Sequence, residues 1–409
     1  MKISTTYLIL VFSSLAVFSQ NLQAANKYLI FIPGYYGTTF YEKNSGRKIW
    51  LKGSQTIIGD NDTTLSMSIP GVRVPEALDL VPGEILDEVS VLGYEYMAYG
   101  KTQNYLREIA AKKGYIYDVL AYDWRKDPMV GIKALDQKLA KLRTSPEDEF
   151  HIVAHSLGSV IVAYYMRYGA VEYDQAQENW SGLKNLNKVV LVAAPFKGTM
   201  IAFKTMFTGL PRGLNRDLLS SRAFTTLESS YFMLPPVGYD LAYDKDLNPV
   251  SLGLHNPENW KKNQWGLFYK KNKFGRESIQ ARTAFTENMI RKGKLFQELL
   301  NAPVQVPVEP IPLLYIKGYG LNTVNKTIWI DPIKRPDFFA YGISVLRRYL
   351  PNLDRDFFKS DGDGSLPDFS TEPAPMMDAL RANVLRNPME HLEVLHAESS
   401  KNQIQRFFE

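Results

Sequence analysis

The chain of 409 residues carries a formal net charge of +5, 45% hydrophobic and 22% charged residues, and no cysteine. This is the balance of a soluble globular protein long enough for a large core with insertions. It excludes disulfide staples, thiolate metal sites and thiol catalysis, and the charge excess is too small to indicate nucleic acid.

Residues 1–25 read as an export signal: Lys2 supplies a minimal basic start, Tyr7 to Phe18 an apolar stretch, and Ala24 and Ala25 small residues for cleavage. The apolar run is short for a membrane span of roughly 20 residues. With cysteine absent, a bacterial periplasm or exterior is the expected location.

Short strand-like runs then alternate with helix-like segments, which predicts an α/β fold: a mostly parallel sheet with helices on both faces. The expected strands are 28–32, 117–122, 150–154, 188–193, 311–317 and 392–395, with helical spacing over 103–113, 131–143 and 399–408. These belong to a core of 26–40, 101–199 and 311–409. Two irregular stretches interrupt it, an insert over 41–100 and a cap over 200–310. Trp50, Leu51, Ile57 and Ile58 of the insert either present apolar surface to a bilayer or pack on the core. In the cap, Lys261, Lys262, Lys270, Lys271 and Lys273 lie among Trp260, Trp265, Phe268 and Tyr269, the pattern of a solvated face over packed aromatics or of a lipid-surface contact.

Ala154-His155-Ser156-Leu157-Gly158 joins the strand ending at Ala154 to a helix-like run, Ser159 to Met166. Such a turn reads as a nucleophile elbow, with small residues two before and two after the serine where strand and helix cross. The following helix would aim N–H groups at developing negative charge on substrate. An ordinary serine helix cap is the bland alternative.

A serine nucleophile needs a base, an acid and oxyanion donors. Histidines stand at 151, 155, 255, 391 and 396. His151 falls inside a strand, His155 beside the serine, and His255 in the cap. With Leu392 to Leu395 read as the last strand, His396 would follow its carboxyl end and is the expected base, whereas His391 would lie at the opposite edge. Asp363, flanked by glycines in Ser360-Asp-Gly-Asp-Gly-Ser-Leu-Pro367, is the expected acid, with Asp361 as runner-up. A calcium loop over the same residues fails on its middle ligand positions, so no metal and no cofactor are expected. After the first strand, Pro33-Gly34 turns so that the Tyr35 N–H would join that of Leu157 as the oxyanion pair. Tyr36, Trp124 and Phe196 are the candidate substrate contacts.

In this order the motifs resemble those of the lecithin:cholesterol acyltransferase-like family, which includes lysosomal phospholipase A2. They comprise Ile32-Pro-Gly34, Gly71-Val72, Lys112-Lys-Gly-Tyr115, Tyr122-Asp-Trp-Arg125, the elbow at 154–158, Ala194-Pro-Phe-Lys-Gly-Thr199, Ser230-Tyr-Phe-Met-Leu-Pro235 and Asp361-Gly-Asp-Gly-Ser-Leu-Pro367. The resemblance implies an α/β-hydrolase fold, a Ser156, Asp363 and His396 triad, and oxyanion donation by Tyr35 and Leu157. It also implies a lipid or phospholipid substrate handled through an acyl-enzyme, with Asp123 and Arg125 as scaffold. The chain departs from the family in lacking the paired-cysteine membrane insert. An esterase for short-chain or carbohydrate esters, and a non-catalytic lipid- or partner-binding protein on the same scaffold, stand as alternatives.

Overall fold

A computed structural model describes residues 25–50, 65–91, 94–210, 218–239, 242–244, 246–330, 335–337 and 354–409. Residues 1–24 of the expected export signal 1–25, and Leu51, Ile57 and Ile58 of the expected insert, lie outside them.

Among the described residues the main sheet has six strands: β1 (Lys27–Ile32), β2 (Ile116–Val119), β3 (Glu149–His155), β4 (Lys188–Val192), β5 (Leu313–Gly318) and β6 (Asn383–Asn387). Their spatial order is β6-β5-β4-β3-β1-β2, and every pairing is parallel. The central strands read as unbroken apolar runs because both sheet faces are covered, and Leu29 to Ile32, Ile152 to Ala154 and Val189 to Val192 are all fully buried. Between strands run α1 (Gly100–Lys113), α2 (Pro128–Leu142) and α3 (Leu157–Tyr168). The strand order steps outward from β1 to β2 and then back across β1 to β3, so right-handed crossovers put α1 on one face and α2 and α3 on the other. The C-terminal helix Glu398–Phe408 packs beside α1, with Ile404 and Phe408 buried and Phe407 half-buried.

All parallel strands point the same way, so the loops after β1, β3, β4, β5 and β6 share one rim. Residues at the end of the first expected core segment and in the expected insert form a small antiparallel sheet of Thr38–Glu42, Lys48–Trp50 and Leu80–Ile85. Trp50 belongs to the core, not to a surface, for its ring packs on Tyr36 and Trp124. The stretch expected as a cap is helical in parts, with Met200–Thr208, Ser221–Thr226, Glu228–Phe232, Pro257–Asn263 and the long helix Ile279–Asn301.

One expected element is wrong, and the error has consequences at the site. Leu392 to Leu395 is not a strand: Glu393–His396 is a single helical turn whose Val394 and Leu395 enter the core. Among the described residues the last strand is Asn383–Asn387, which starts nine residues before the expected one and pairs with β5 alone. As an edge strand it is largely exposed and keeps polar residues at most positions, so it has no apolar run to betray it. The two segments should answer differently to truncation. Leu395→Ala, at a fully buried position, is expected to lower stability in urea denaturation by about 2–5 kcal/mol. Val384→Ala, at 40% exposure on the edge, should cost under about 1 kcal/mol.

Candidate active site

Ser156 sits where β3 turns into α3, with φ 52° and ψ −121°. A positive φ on a residue with a side chain stores roughly 1–3 kcal/mol and persists only where its surroundings enforce it. Here the Ser156 N–H donates to Val192 O at 2.8 Å, pinning the turn to β4. The crossing is tight. A Cβ on Gly158 would lie 2.6 Å from Pro33 O and 2.7 Å from Ile32 O, and one on Gly34 would lie 2.6 Å from the Ser156 Cβ. Glycine at these two positions lets the loop after β1 press against the elbow.

The imidazole that meets the serine is His391. Its Nε2 lies 3.0 Å from Ser156 Oγ, and its Nδ1 lies 2.7 Å from Asp363 Oδ2. Asp363 is fully buried, and its other oxygen accepts the N–H groups of Ser365 at 3.0 Å and Leu366 at 2.6 Å. The His391 N–H also donates to Asp363 O at 2.9 Å, so backbone and side chain join the same two residues. Gly364, at φ +84°, supplies the turn that brings the chain back. With Asp363 holding Nδ1–H, the Nε2 lone pair faces the serine hydroxyl, the arrangement in which an imidazole takes its proton.

The expectation that His396 is the base is therefore corrected. His396 Nε2–H donates to Ala98 O at 3.1 Å and Nδ1 lies 3.1 Å from Thr102 Oγ1, so both ring nitrogens are engaged at the start of α1. The error follows from the misread strand. Because β6 ends at Asn387, it is His391 that stands just past a strand's carboxyl end, with Pro388 marking the break. His151 stays inside β3, and His255 donates to Pro235 O at 2.8 Å. Asp361 is exposed and takes the Gly320 N–H at 2.7 Å, away from the imidazole.

The Leu157 N–H opens α3, and Tyr35 lies in the turn that touches Ser156. Among the described residues neither of these backbone N–H groups meets an acceptor. The Tyr35 hydroxyl instead holds Ser229, in the stretch expected as a cap, at 2.7 Å, and burial pushes this phenol up to about 12. Of the three expected substrate contacts, Tyr36 is half-buried beside Tyr35. Trp124 and Phe196 are corrected: both are fully buried, Trp124 among the rings of Tyr35, Tyr36, Phe40 and Trp50, Phe196 against Tyr315. Asp123 and Arg125 form a buried bidentate pair at 2.9 and 2.8 Å, and the Arg125 carbonyl receives the Ser229 N–H.

A family model for lecithin:cholesterol acyltransferase matches residues 43–248. No curated protein matches the sequence. Among solved structures the chain is similar to a chain of the Tle4–Tli4 complex, with 13% identity and a TM-score of 0.50 over 94% of this chain and 98% of that one. It is also similar to mature Bacillus licheniformis lipase BlEst2, with 9% identity, TM-score 0.36 and coverage of 94% and 93%. EstA from Clostridium botulinum gives 14% identity, TM-score 0.35 and coverage of 94% and 86%. With the sheet order and the strand-to-helix elbow, the first of these likenesses establishes the α/β-hydrolase fold.

Electrostatics set a pH signature. Burial alone would lower the His391 pKa, but the Asp363 carboxylate, by charge and by hydrogen bond, together with the charge of Glu390 more than offsets it and raises the value above 6.5. A base must be neutral, so turnover should fall as pH drops through a point above 6.5. In Asp363→Asn the larger of these two charges is gone, and the acid limb of kcat/KM is expected to move to lower pH as the plateau drops. A pH–rate profile of both proteins checks this.

Proposed function

The chain belongs to the lecithin:cholesterol acyltransferase family, and from that membership we propose that it is a serine-dependent lipid acyl hydrolase or O-acyltransferase acting on an acyl ester of glycerophospholipids through an acyl-enzyme. The observation that carries this reading is the contact of His391 Nε2 with Ser156 Oγ at 3.0 Å, backed by Asp363 at 2.7 Å. Ser156 Oγ attacks the ester carbonyl as its proton passes to His391 Nε2. The oxyanion is held by the Tyr35 and Leu157 N–H groups. His391 then protonates the departing alcohol, leaving the acyl group on Ser156. Water or a second alcohol, deprotonated by His391, attacks the acyl-enzyme and regenerates the serine. Every proton has a carrier in this cycle, and it draws on no metal.

Two extensions accompany the proposal. Residues 1–25 support export to a bacterial periplasm or exterior. Lys261, Lys262, Lys270, Lys271 and Lys273, all exposed above the buried Trp260, Trp265 and Phe268, support peripheral contact with an anionic lipid surface.

The test is turnover of p-nitrophenyl esters of increasing chain length, together with phospholipid vesicles. Long-chain esters should be preferred, vesicles containing phosphatidylglycerol should be cut faster than neutral ones, and Ser156→Ala should lose at least about a thousandfold in kcat. A fluorophosphonate label on the wild-type protein should be recovered outside the cytoplasm. Preference for acetyl esters would redirect the reading to a short-chain esterase, and turnover surviving in Ser156→Ala would sink it.

A further inference from the structure

Behind the serine runs a chain of hydrogen bonds that the catalytic cycle does not use. The Gly34 N–H donates to the Tyr99 hydroxyl at 3.0 Å, the Tyr99 hydroxyl lies 2.8 Å from His155 Nδ1, and His155 Nε2 lies 3.0 Å from the carbonyl oxygen of His391. Tyr99 and His155 are 3% and 2% exposed, so water does not compete for these bonds.

The direction of each bond follows from its partners. A carbonyl oxygen only accepts, so His155 Nε2 carries the hydrogen. Burial and the neighbouring His391 hold the His155 pKa well below 6.5, so its ring is neutral and Nδ1 is an acceptor. The Tyr99 hydroxyl receives the Gly34 N–H on its oxygen and gives its own hydrogen to that Nδ1. The chain thus begins on the loop that carries the Tyr35 oxyanion donor and ends on the backbone of the base. Ser156 lies between the two, and the ring of His155 packs on that of His391 with centroids 4.8 Å apart.

We propose that Tyr99 and His155 are positioning residues that fix the oxyanion loop and the backbone of His391 on either side of Ser156 through the bonds Gly34 N–H to Tyr99, Tyr99 O–H to His155, and His155 Nε2–H to His391 O. The inference rests on Ser156 being the nucleophile. Tyr99 is itself anchored, for its N–H donates to Leu86 O and Asp87 O, so the relay is tied to the insert as well as to the sheet. His155 is thereby removed as a rival base: its Nε2 hydrogen is committed to a carbonyl, and its Nδ1 lone pair to a phenol.

The experiment compares full-chain wild type, Ser156→Ala, Tyr99→Phe, His155→Leu and His155→Gln in p-nitrophenyl ester turnover, in inactivation by diethyl p-nitrophenyl phosphate and in thermal denaturation. Tyr99→Phe and His155→Leu should each lower kcat and the inactivation rate by roughly 10- to 100-fold with KM changed less than about twofold, because misplaced groups slow chemistry more than binding. His155→Gln, whose amide N–H can still donate to the His391 carbonyl, should recover a large part of the loss in His155→Leu. A purely structural role would lower Tm without that split between kcat and KM. If Tyr99→Phe and His155→Leu work within twofold of wild type, or His155→Gln is no better than His155→Leu, the positioning role is wrong although Ser156 catalysis stands. If wild type and Ser156→Ala are equally inert, the catalytic reading itself fails and the positioning role falls with it.

Discussion

The architecture depends on one steric constraint, the crossing of the β1 loop over the elbow between β3 and α3. Two backbone segments press together there, Ile32 to Gly34 and the elbow from Ser156, at positive φ, to Gly158, leaving no room for a Cβ on either glycine. A side chain on Gly34 or Gly158 would push the β1 loop away, and with it Tyr35. The strain at Ser156 is tolerated because β4 captures its N–H and the closely packed neighbours leave no other path. The sheet brings the other two groups to the same rim, since β5 leads into the segment bearing Asp363 and β6 into the loop bearing His391. Gly318 at the end of β5 lies so near that a Cβ there would be 2.7 Å from that of Asp363.

Charge organises what the backbone places. Asp363 is the buried anion of the site, stabilised by the Ser365 and Leu366 N–H groups and by His391. It raises the proton affinity of His391 while burial depresses that of His155 and His396. Three imidazoles near one another thus separate into one basic group and two neutral donors, and the geometry leaves only the basic one facing Ser156. The two neutral rings hold backbone carbonyls, those of His391 and Ala98, and so serve the framework.

Much of this was legible in the sequence, and the reasons are physical. Strands buried on both faces must be largely apolar, so β1, β3, β4 and β5 announce themselves, and the tight elbow demands the small residues that mark it. Asp363 was legible because its turn needs glycine. The edge strand Asn383–Asn387 was not, since it is paired on one side only and pays no penalty for polar residues. The apolar Leu392 to Leu395 run imitated a strand while serving as one helical turn. That single exchange moved the expected base by five positions. Trp124 and Phe196 misled for a related reason: a motif that holds a large ring says nothing of whether that ring is open to a substrate or packed among its neighbours. The Tyr99 to His155 link was invisible because it joins an insert residue to the elbow across 56 positions.

The most direct test of the account is to replace His391 and His396 separately by alanine and measure kcat on one ester with folded protein of each variant. Loss of about three orders of magnitude or more in His391→Ala, with most of the wild-type kcat kept in His396→Ala, is the predicted result. The reverse pattern, with activity surviving loss of His391 and vanishing with His396, would contradict it.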